Sequence, residues 1–559
     1  MMEYRRERDD RSGYEGGSRS RKRQRDVMDR PAESSAGKRS AMISLKEAPE
    51  ISEEEREQIL KMVAESEPEV EALDSSALKR MLVAFDKKVK RNQEMRIKYS
   101  DNPEKFLDSE LDVHDEIQKL HVIATAPELY SILVQQNAIP TILGLLSHEN
   151  TDISIAVVEL LVELTDVDVL NETEEGADVL LDALLEGQIV ALLVQNMERL
   201  DENVKEEGDG VHNTLSTIEN MTELKPEICV TAGEQGLIAW LLKRLRKVPV
   251  YDPNKLYCSE ILSILLQDTQ ENRQLLGAVN GIDVLLQCLS AYKPRDPSTA
   301  NEIEYMENLF NCLCSSLMAI PNRERFLKGQ GLQLMILMLR EKKLSRRSAL
   351  KVLDYAMQGV EGADNCTKFI DVLGLRSLFA IFMKPPKNNK KIGSKEGEYE
   401  EHVLSILASL FRNLTGNQRS RLVQKFVEDD HIKVDRLIEL HFKYFERVQE
   451  CDNQIERQKN AMIQRGEDVD EATEEDFYLR RLDAGLFSLQ LIDCAIVECC
   501  SSGNTSIKAR VQTLLNQQGG SMKDIRSVLR EYAASFGDEK GKDREELEKR
   551  RILSLVDRF

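Results

Sequence analysis

In the segment DISIAVVELLVELTD, the polar side chains Asp152, Glu159, Glu163 and Asp166 interrupt a run that is otherwise almost wholly apolar. From Asp152 the offsets are 7, 11 and 14 positions. At about 100° per residue these fall on one face of an α-helix and form a single acidic stripe. A stripe so narrow on so apolar a helix implies packing on nearly every other side. Carboxylates in a row can pair with Lys and Arg heads through charge-assisted hydrogen bonds. Two later segments repeat the arrangement with amides and hydroxyls in place of some acids: Asn213, Thr217, Asn220 and Glu223 in VHNTLSTIENMTEL, and Glu304, Asn308, Asn311 and Ser315 in IEYMENLFNCLCSSLM. Glu260, in KLYCSEILSILLQD, and Asn413, in EEHVLSILASLFRNLTG, complete the candidate set. Amides can bond both the N–H and the C=O of an extended peptide. If these helices line one side of a solenoid, the expected site is a trough for an extended basic peptide. The plainer alternative is that the stripes only keep a solenoid surface soluble.

No catalytic centre is expected. The nearest approach to a phosphate loop, GDEKGKD at 537–543, has one residue too few between its glycines and Asp where Ser or Thr is needed. The seven histidines, at 114, 121, 148, 212, 402, 431 and 441, show no zinc spacing, and a serine-nucleophile elbow is missing. No cofactor or metal is therefore expected.

The elements that must position the stripes form a repeat. Six segments pair a small residue with an apolar helix: NAIPTILGLLS, EGQIVALLVQNM, EQGLIAWLLKRL, VNGIDVLLQCLS, GQGLQLMILML and VLGLRSLFAIFM. Aligned on Ala138, Gly187, Gly236, Gly281, Gly331 and Gly374, they are 49, 49, 45, 50 and 43 residues apart. Each is followed, after a loop, by a longer helix that carries the polar stripe. One helix pair cannot cover its own apolar face, but stacked neighbours bury a continuous core. The expected fold is all-α: an armadillo/HEAT-type right-handed superhelical solenoid with a helical C-terminal cap. Residues 51–135 read as an N-terminal helical, HEAT-like cap, 136–416 as about six armadillo repeats and 417–559 as a C-terminal helical domain. In that last region VDRLIELHFKYFERVQECDNQIERQKNAMIQRG reads as a long helix with imperfect heptads, and FYLRRLDAGLFSLQLIDCAIVECC as one apolar helix. Part of this region is a candidate for pairing two chains into a homodimer.

Residues 1–50 are rich in Arg, Ser, Gly and Asp and poor in large apolar side chains, and are expected to be disordered. Within them Arg21, Lys22, Arg23 and Arg25, followed by Lys38 and Arg39, form a candidate nuclear-localisation signal; the alternative is a solvated charge run. These 50 residues hold 13 Lys/Arg against 10 Asp/Glu, so the net charge of −21 belongs entirely to the rest of the chain. An acidic body repels nucleic-acid phosphates and attracts basic partners, so direct nucleic-acid binding by the folded part is not expected. Ten cysteines without framework spacing suit a reducing compartment, and neither a secretory signal nor a membrane span is evident.

The run AIPTILGLLSHENTDISIAVVELLVELTD, with LFRNLTG, resembles the armadillo repeats of beta-catenin and of the importin-alpha receptors. From about residue 50 onward, NPEKFLDSELDVHDEIQKLHVIATAPELYSILVQQNAIPTIL and YLRRLDAGLFSLQLID resemble the nuclear, spliceosome-associated beta-catenin-like armadillo family. That resemblance implies a nuclear member of a nineteen-type complex in pre-mRNA splicing. Its partners would be localisation-signal-like basic segments of splicing factors and of an antibody-gene deaminase, and its armadillo domain would self-associate. The import receptors carry repeated Trp and Asn pairs on their groove helices. Here the Asn aligns only with Asn220 and Asn413, Glu163 takes the place in the first repeat, and Trp240 lies on a first helix. A groove without a tryptophan ladder does not grip lysine stems in the same way. The other readings are an import adaptor of importin-alpha type and a catenin-like adhesion or signalling linker.

Overall fold

The computed structural model describes residues 73–559 apart from 172, 248, 387–396 and 537–542. The basic head with its candidate localisation signal, most of the KPPKNNKKIGSKEGEYE insertion and all but the last residue of GDEKGKD lie outside the described residues. Among the described residues every regular element is a helix.

The chain divides into two compact units. One holds the described residues from Leu73 to Ile142 together with Asp168–Ala183; the other holds Leu143–Val167 and Leu184–Phe559. In the first unit, helix Ser75–Lys98 is capped by Asp74 and buries Leu78, Leu82, Phe85 and Val89. It packs against helix Leu107–Leu120, and Asn92 Nδ2 donates to Ser109 Oγ at 3.0 Å across the contact. The sequence places residues 168–183 among the repeats; the structure joins them to the first unit. Gly176 approaches Pro127 so closely that a Cβ would stand 2.8 Å from its carbonyl oxygen.

The second unit is built on a ladder of long helices: α1 (Thr151–Leu164), α2 (Lys205–Leu224), α3 (Pro253–Leu266), α4 (Ala300–Ser316), α5 (Arg346–Met357) and α6 (Glu398–Asn413). Each packs on the next in chain order. The side chains of Asn150, Asp252 and Thr299 cap α1, α3 and α4 by accepting from first-turn amides, which sets where these helices begin. Pairs such as Val157 and Leu161, Ile261 and Leu265, and Leu309 and Leu313 are fully buried between rungs. Each such side chain contributes roughly 1.5–3 kcal/mol of transfer free energy.

Between the rungs the structure corrects the two-helix repeat expected from sequence. A short helix precedes each apolar one: Ile228–Glu234 before Leu237–Leu245, Gln270–Ala278 before Gly281–Ser290, Ile320–Lys328 before Gly331–Glu341, and Ala363–Asp371 before Gly374–Met383. The joint between them is one left-handed residue: Gly236 (φ 97°), Asn280 (60°), Gln330 (60°) and Leu373 (63°), with Gln188 (54°) in the same place ahead of helix Ile189–Arg199. The glycine alignment therefore slips. Gly281, Gly331 and Gly374 follow the joint, Gly236 is the joint, and Gly187 precedes it. The glycines after the joint are required sterically, because a Cβ would stand 2.4 Å from Leu276, 2.2 Å from Phe326 and 2.5 Å from Phe369. The sequence reading gives the short helices no place of their own, and their segments, QENRQLL and IPNRERF, are polar. Their polar groups are in fact buried and bonded to backbone. Asn272 Nδ2 donates to the carbonyls of Cys229 and Leu265, Asn322 Nδ2 to those of Arg273 and Ser316, and Arg273 and Arg323 to those of Leu266 and Leu317. These bonds satisfy the carbonyl ends of α3 and α4 and tie each short helix to the preceding repeat.

Beyond α6, the long helix α7 (Ile432–Arg465) is followed by helix Glu471–Ala484 and by α8 (Leu486–Cys500). The single apolar helix expected over 477–500 is thus two, broken at Gly485, which has φ 108° and where a Cβ would meet Tyr444 at 2.4 Å. α8 is buried along almost its whole length and packs on α6 and α7. The last helix, α9 (Asp543–Arg558), is held by ion pairs of Arg551 with Glu498 and of Arg412 with Glu548.

Candidate peptide-binding strip

Each rung of the ladder leaves one narrow face uncovered by its neighbours. On α1, only Glu159, Val162 and Glu163 escape burial between Ile153 and Leu164. Asp152 is exposed in the first turn, while Asp166 lies past the Thr165 cap and is half-buried. The acidic stripe on α1 is therefore present, but its last member stands outside the helix.

On α2 the strip is rotated from the sequence expectation. Asn213 is half-buried and Glu223 exposed, but Thr217 is fully buried with its hydroxyl donating to Asn213 O at 3.0 Å, and Asn220 is only 9% exposed. Ser216 and Glu219 take their places. Glu219 was missed because whole-turn offsets of 4 and 7 from Asn213 select Thr217 and Asn220, whereas the packed helix exposes steps of three. α3 contributes Tyr257, Glu260 and Ser263, and α4 contributes Glu304, Asn308, Asn311 and Ser315, all half-buried. Asn308 Nδ2 donates to Ser259 Oγ at 3.3 Å, so that amide helps to hold α3 to α4.

Glu219, Glu260 and Glu304 form a row across α2, α3 and α4. Tyr257 Oη donates to Glu219 Oε2 at 2.6 Å, and its ring lies 4.8 Å from that of His212 on α2. Burial, then the charges of Glu304 and Glu219, push the Glu260 carboxyl up to about 8. Burial and Glu219 likewise hold the Tyr257 hydroxyl well above its ordinary value. Among the described residues no Lys or Arg pairs with Glu219 or Glu260, so the row carries negative potential that a visiting cation would relieve.

From α5 onward the character changes. The uncovered positions are Arg346, Arg347, Lys351, Tyr355 and, just past the helix, Gln358. Arg347 reaches Glu307 on α4 and Glu398 on α6, each at 3.3 Å. Asn413, expected to face a peptide, donates to Gly359 O at 2.7 Å and so fastens the end of α6 to the chain after α5. Trp240 lies on Leu237–Leu245, off the strip, and is 6% exposed.

Among the described residues no three His, Cys, Asp or Glu side chains stand together as metal ligands, and no helix is long and apolar enough to cross a membrane. The ten cysteines form no disulfide. Burial pushes the Cys229 thiol up to about 11 and Cys366 up to about 12, the opposite of an activated nucleophile.

Stacked helical repeats with a polar strip along their long helices define an armadillo-type scaffold. The chain belongs to the family described as catenin-beta-like, Arm-motif containing nuclear, whose model matches residues 56–530. It is 60% identical over 487 residues to beta-catenin-like protein 1 of Homo sapiens, covering 87% of this chain and 86% of that protein. To the beta-catenin-like protein 1 homolog of Schizosaccharomyces pombe it is 34% identical over 472 residues, 84% of this chain and 80% of that one. A solved structure from work on a phosphorylation switch between cadherin and beta-catenin covers 74% of this chain and 66% of its own, with 14% identity and a TM-score of 0.44. The resemblance drawn from the quoted sequence runs holds at the level of the family, which is one of armadillo-repeat scaffold proteins and not of enzymes.

Proposed function

We propose that this chain is a non-catalytic nuclear scaffold of pre-mRNA splicing that holds basic, localisation-signal-like segments of splicing factors along the strip of α1–α4. The observation that carries the reading is the row Glu219, Glu260 and Glu304, beside which α1 leaves Glu159 and Glu163 uncovered. Carboxylates that raise one another's proton affinity favour an arriving Lys or Arg, and half-buried amides beside them suit an extended backbone. The nuclear setting is supported by the family's description, and the splicing role by the sequence resemblance. An import-receptor mode is disfavoured, because Trp240 is off the strip and the aromatic groups there are tyrosines.

The test is the anisotropy of a labelled Lys/Arg-rich peptide titrated with the full chain at several salt concentrations. The expected result is affinity that falls as salt rises, and that falls by roughly tenfold or more in Glu159→Lys with Glu163→Lys. Binding indifferent both to salt and to this double variant rejects the strip. Loss of spliceosomal proteins from nuclear affinity purifications with the same variant tests the cellular role.

A further inference from the structure

We propose that the outward face of helix Ser75–Lys98, in the first unit, is a docking surface for an acidic segment of this same chain, residues 51–72.

On this helix Leu78, Leu82, Phe85 and Val89 are buried, and the opposite side stands in solvent. Arg80, Val83, Lys87 and Lys90 follow one another there at steps of three and four residues, so they share one face, and all four are exposed. Val83 is 66% exposed, an apolar side chain set between cations. The cations nearer helix Leu107–Leu120 have partners on it: Lys88 and Arg91 reach Asp112 at 2.6 and 3.5 Å, and Arg96 pairs with Glu110. On the outward face Lys90 meets Asp86, one turn back on its own helix. Among the described residues Lys79, Arg80 and Lys87 pair with no carboxylate. The helix holds eight Lys/Arg against two Asp/Glu, a charge of +6 in a chain of −21. Such a face calls for an acidic partner that brings an apolar side chain of its own.

Residues 51–72 have that chemistry. They hold eight Glu against Arg56 and Lys61, a charge of −6. Ile59, Met62 and Val63 recur at helical steps, and Ser52 with Glu55 has the spacing of a capping box. Pro68 ends that pattern, which leaves residues 67–73 as a connection to the Asp74 cap. Seven residues reach roughly 23 Å when extended, well beyond the distance of about 8–10 Å between packed helices, so the segment can turn back and run antiparallel to Ser75–Lys98. In that direction, setting Ile59 against Val83 also sets Glu55 against Lys87, four residues further along each. A helix of about 14 residues is marginal in water by itself and gains its stability from a surface of this kind. A merely solvated face accounts for the cations but not for Val83, and a nucleic-acid backbone would likewise satisfy the cations and leave Val83 bare.

Hydrogen exchange is measured on the full chain at about 0.15 M salt, with a free peptide of residues 51–72 as the reference. Amides of 53–66 are expected to exchange roughly tenfold or more slowly than in the free peptide. They should speed up at about 1 M salt, where the Debye length falls from about 8 to about 3 Å. Arg80→Glu with Lys87→Glu, at two exposed sites, should return them to the free rate while Ser75–Lys98 keeps its own protection. Glu54→Lys with Glu55→Lys, which leaves the described helices untouched, should do the same, and the two pairs together should restore slow exchange. Parent amides that exchange at the free rate overturn the inference, as does slow exchange that neither pair changes. A labelled single-stranded RNA that binds the parent but not the face variant, with 53–66 exchanging freely, would make nucleic acid the occupant and overturn it too.

Discussion

Tyr257 on α3 donates its hydroxyl to Glu219 on α2 at 2.6 Å, so two neighbouring rungs of the strip are joined by a hydrogen bond in which only the acceptor is charged. Replacing the donor leaves the carboxylate and its charge in place. Tyr257→Phe is therefore expected to cost about 1.5–3 kcal/mol of stability while basic-peptide binding is retained. Urea unfolding and peptide anisotropy on the same preparation check both halves. Loss of binding at unchanged stability would show that the hydroxyl contacts the peptide instead.

The Glu260 carboxyl, pushed up to about 8 by burial and then by Glu304 and Glu219, is mostly protonated at neutral pH. A guanidinium seated beside it requires the ionised form, so binding releases a proton. Affinity for an arginine-rich peptide, whose own charge does not titrate, should rise from about pH 6.5 to about pH 8.5 and then level off. Glu260→Gln should flatten that profile. A profile that stays as steep in the variant would assign the dependence to another group.

His441 on α7 lies 2.6 Å from Asp493 on α8, and both are buried. Burial alone would lower the imidazole's pKa, but the Asp493 charge and hydrogen bond outweigh it and raise it. A raised histidine contributes stability that is complete below its unfolded value of about 6.5 and is lost as pH climbs through the folded value. Asp493→Asn should therefore cost about 3–5 kcal/mol near pH 6 and less in alkaline solution. Thermal melts across pH for the variant and the parent test this, and a constant difference would refute it.

Gly331 follows the left-handed Gln330, and a Cβ at this position would stand 2.2 Å from the Phe326 ring. Gly331→Ala is expected to lower stability by roughly 1–3 kcal/mol through forced repacking. Adding Phe326→Leu should restore part of that loss. The comparison needs only the unfolding midpoints of the two variants.

Much of this protein is legible in its residues taken in order. Apolar periodicity marks the long helices, their recurrence marks the solenoid, and the isolation of Glu159 and Glu163 in an apolar run marks the strip on α1. The rest depended on neighbours more than 40 residues away. Asn272 and Asn322 lie in polar segments to which the sequence pattern gives no element, yet the carbonyls they cap belong to other helices. Asn220 and Glu219 are adjacent on α2, and the sequence offers no means of choosing between them. Packing against α1 and α3 decides which of the two stays at the surface, because the uncovered face of a helix is set by the helices beside it and not by its own turn.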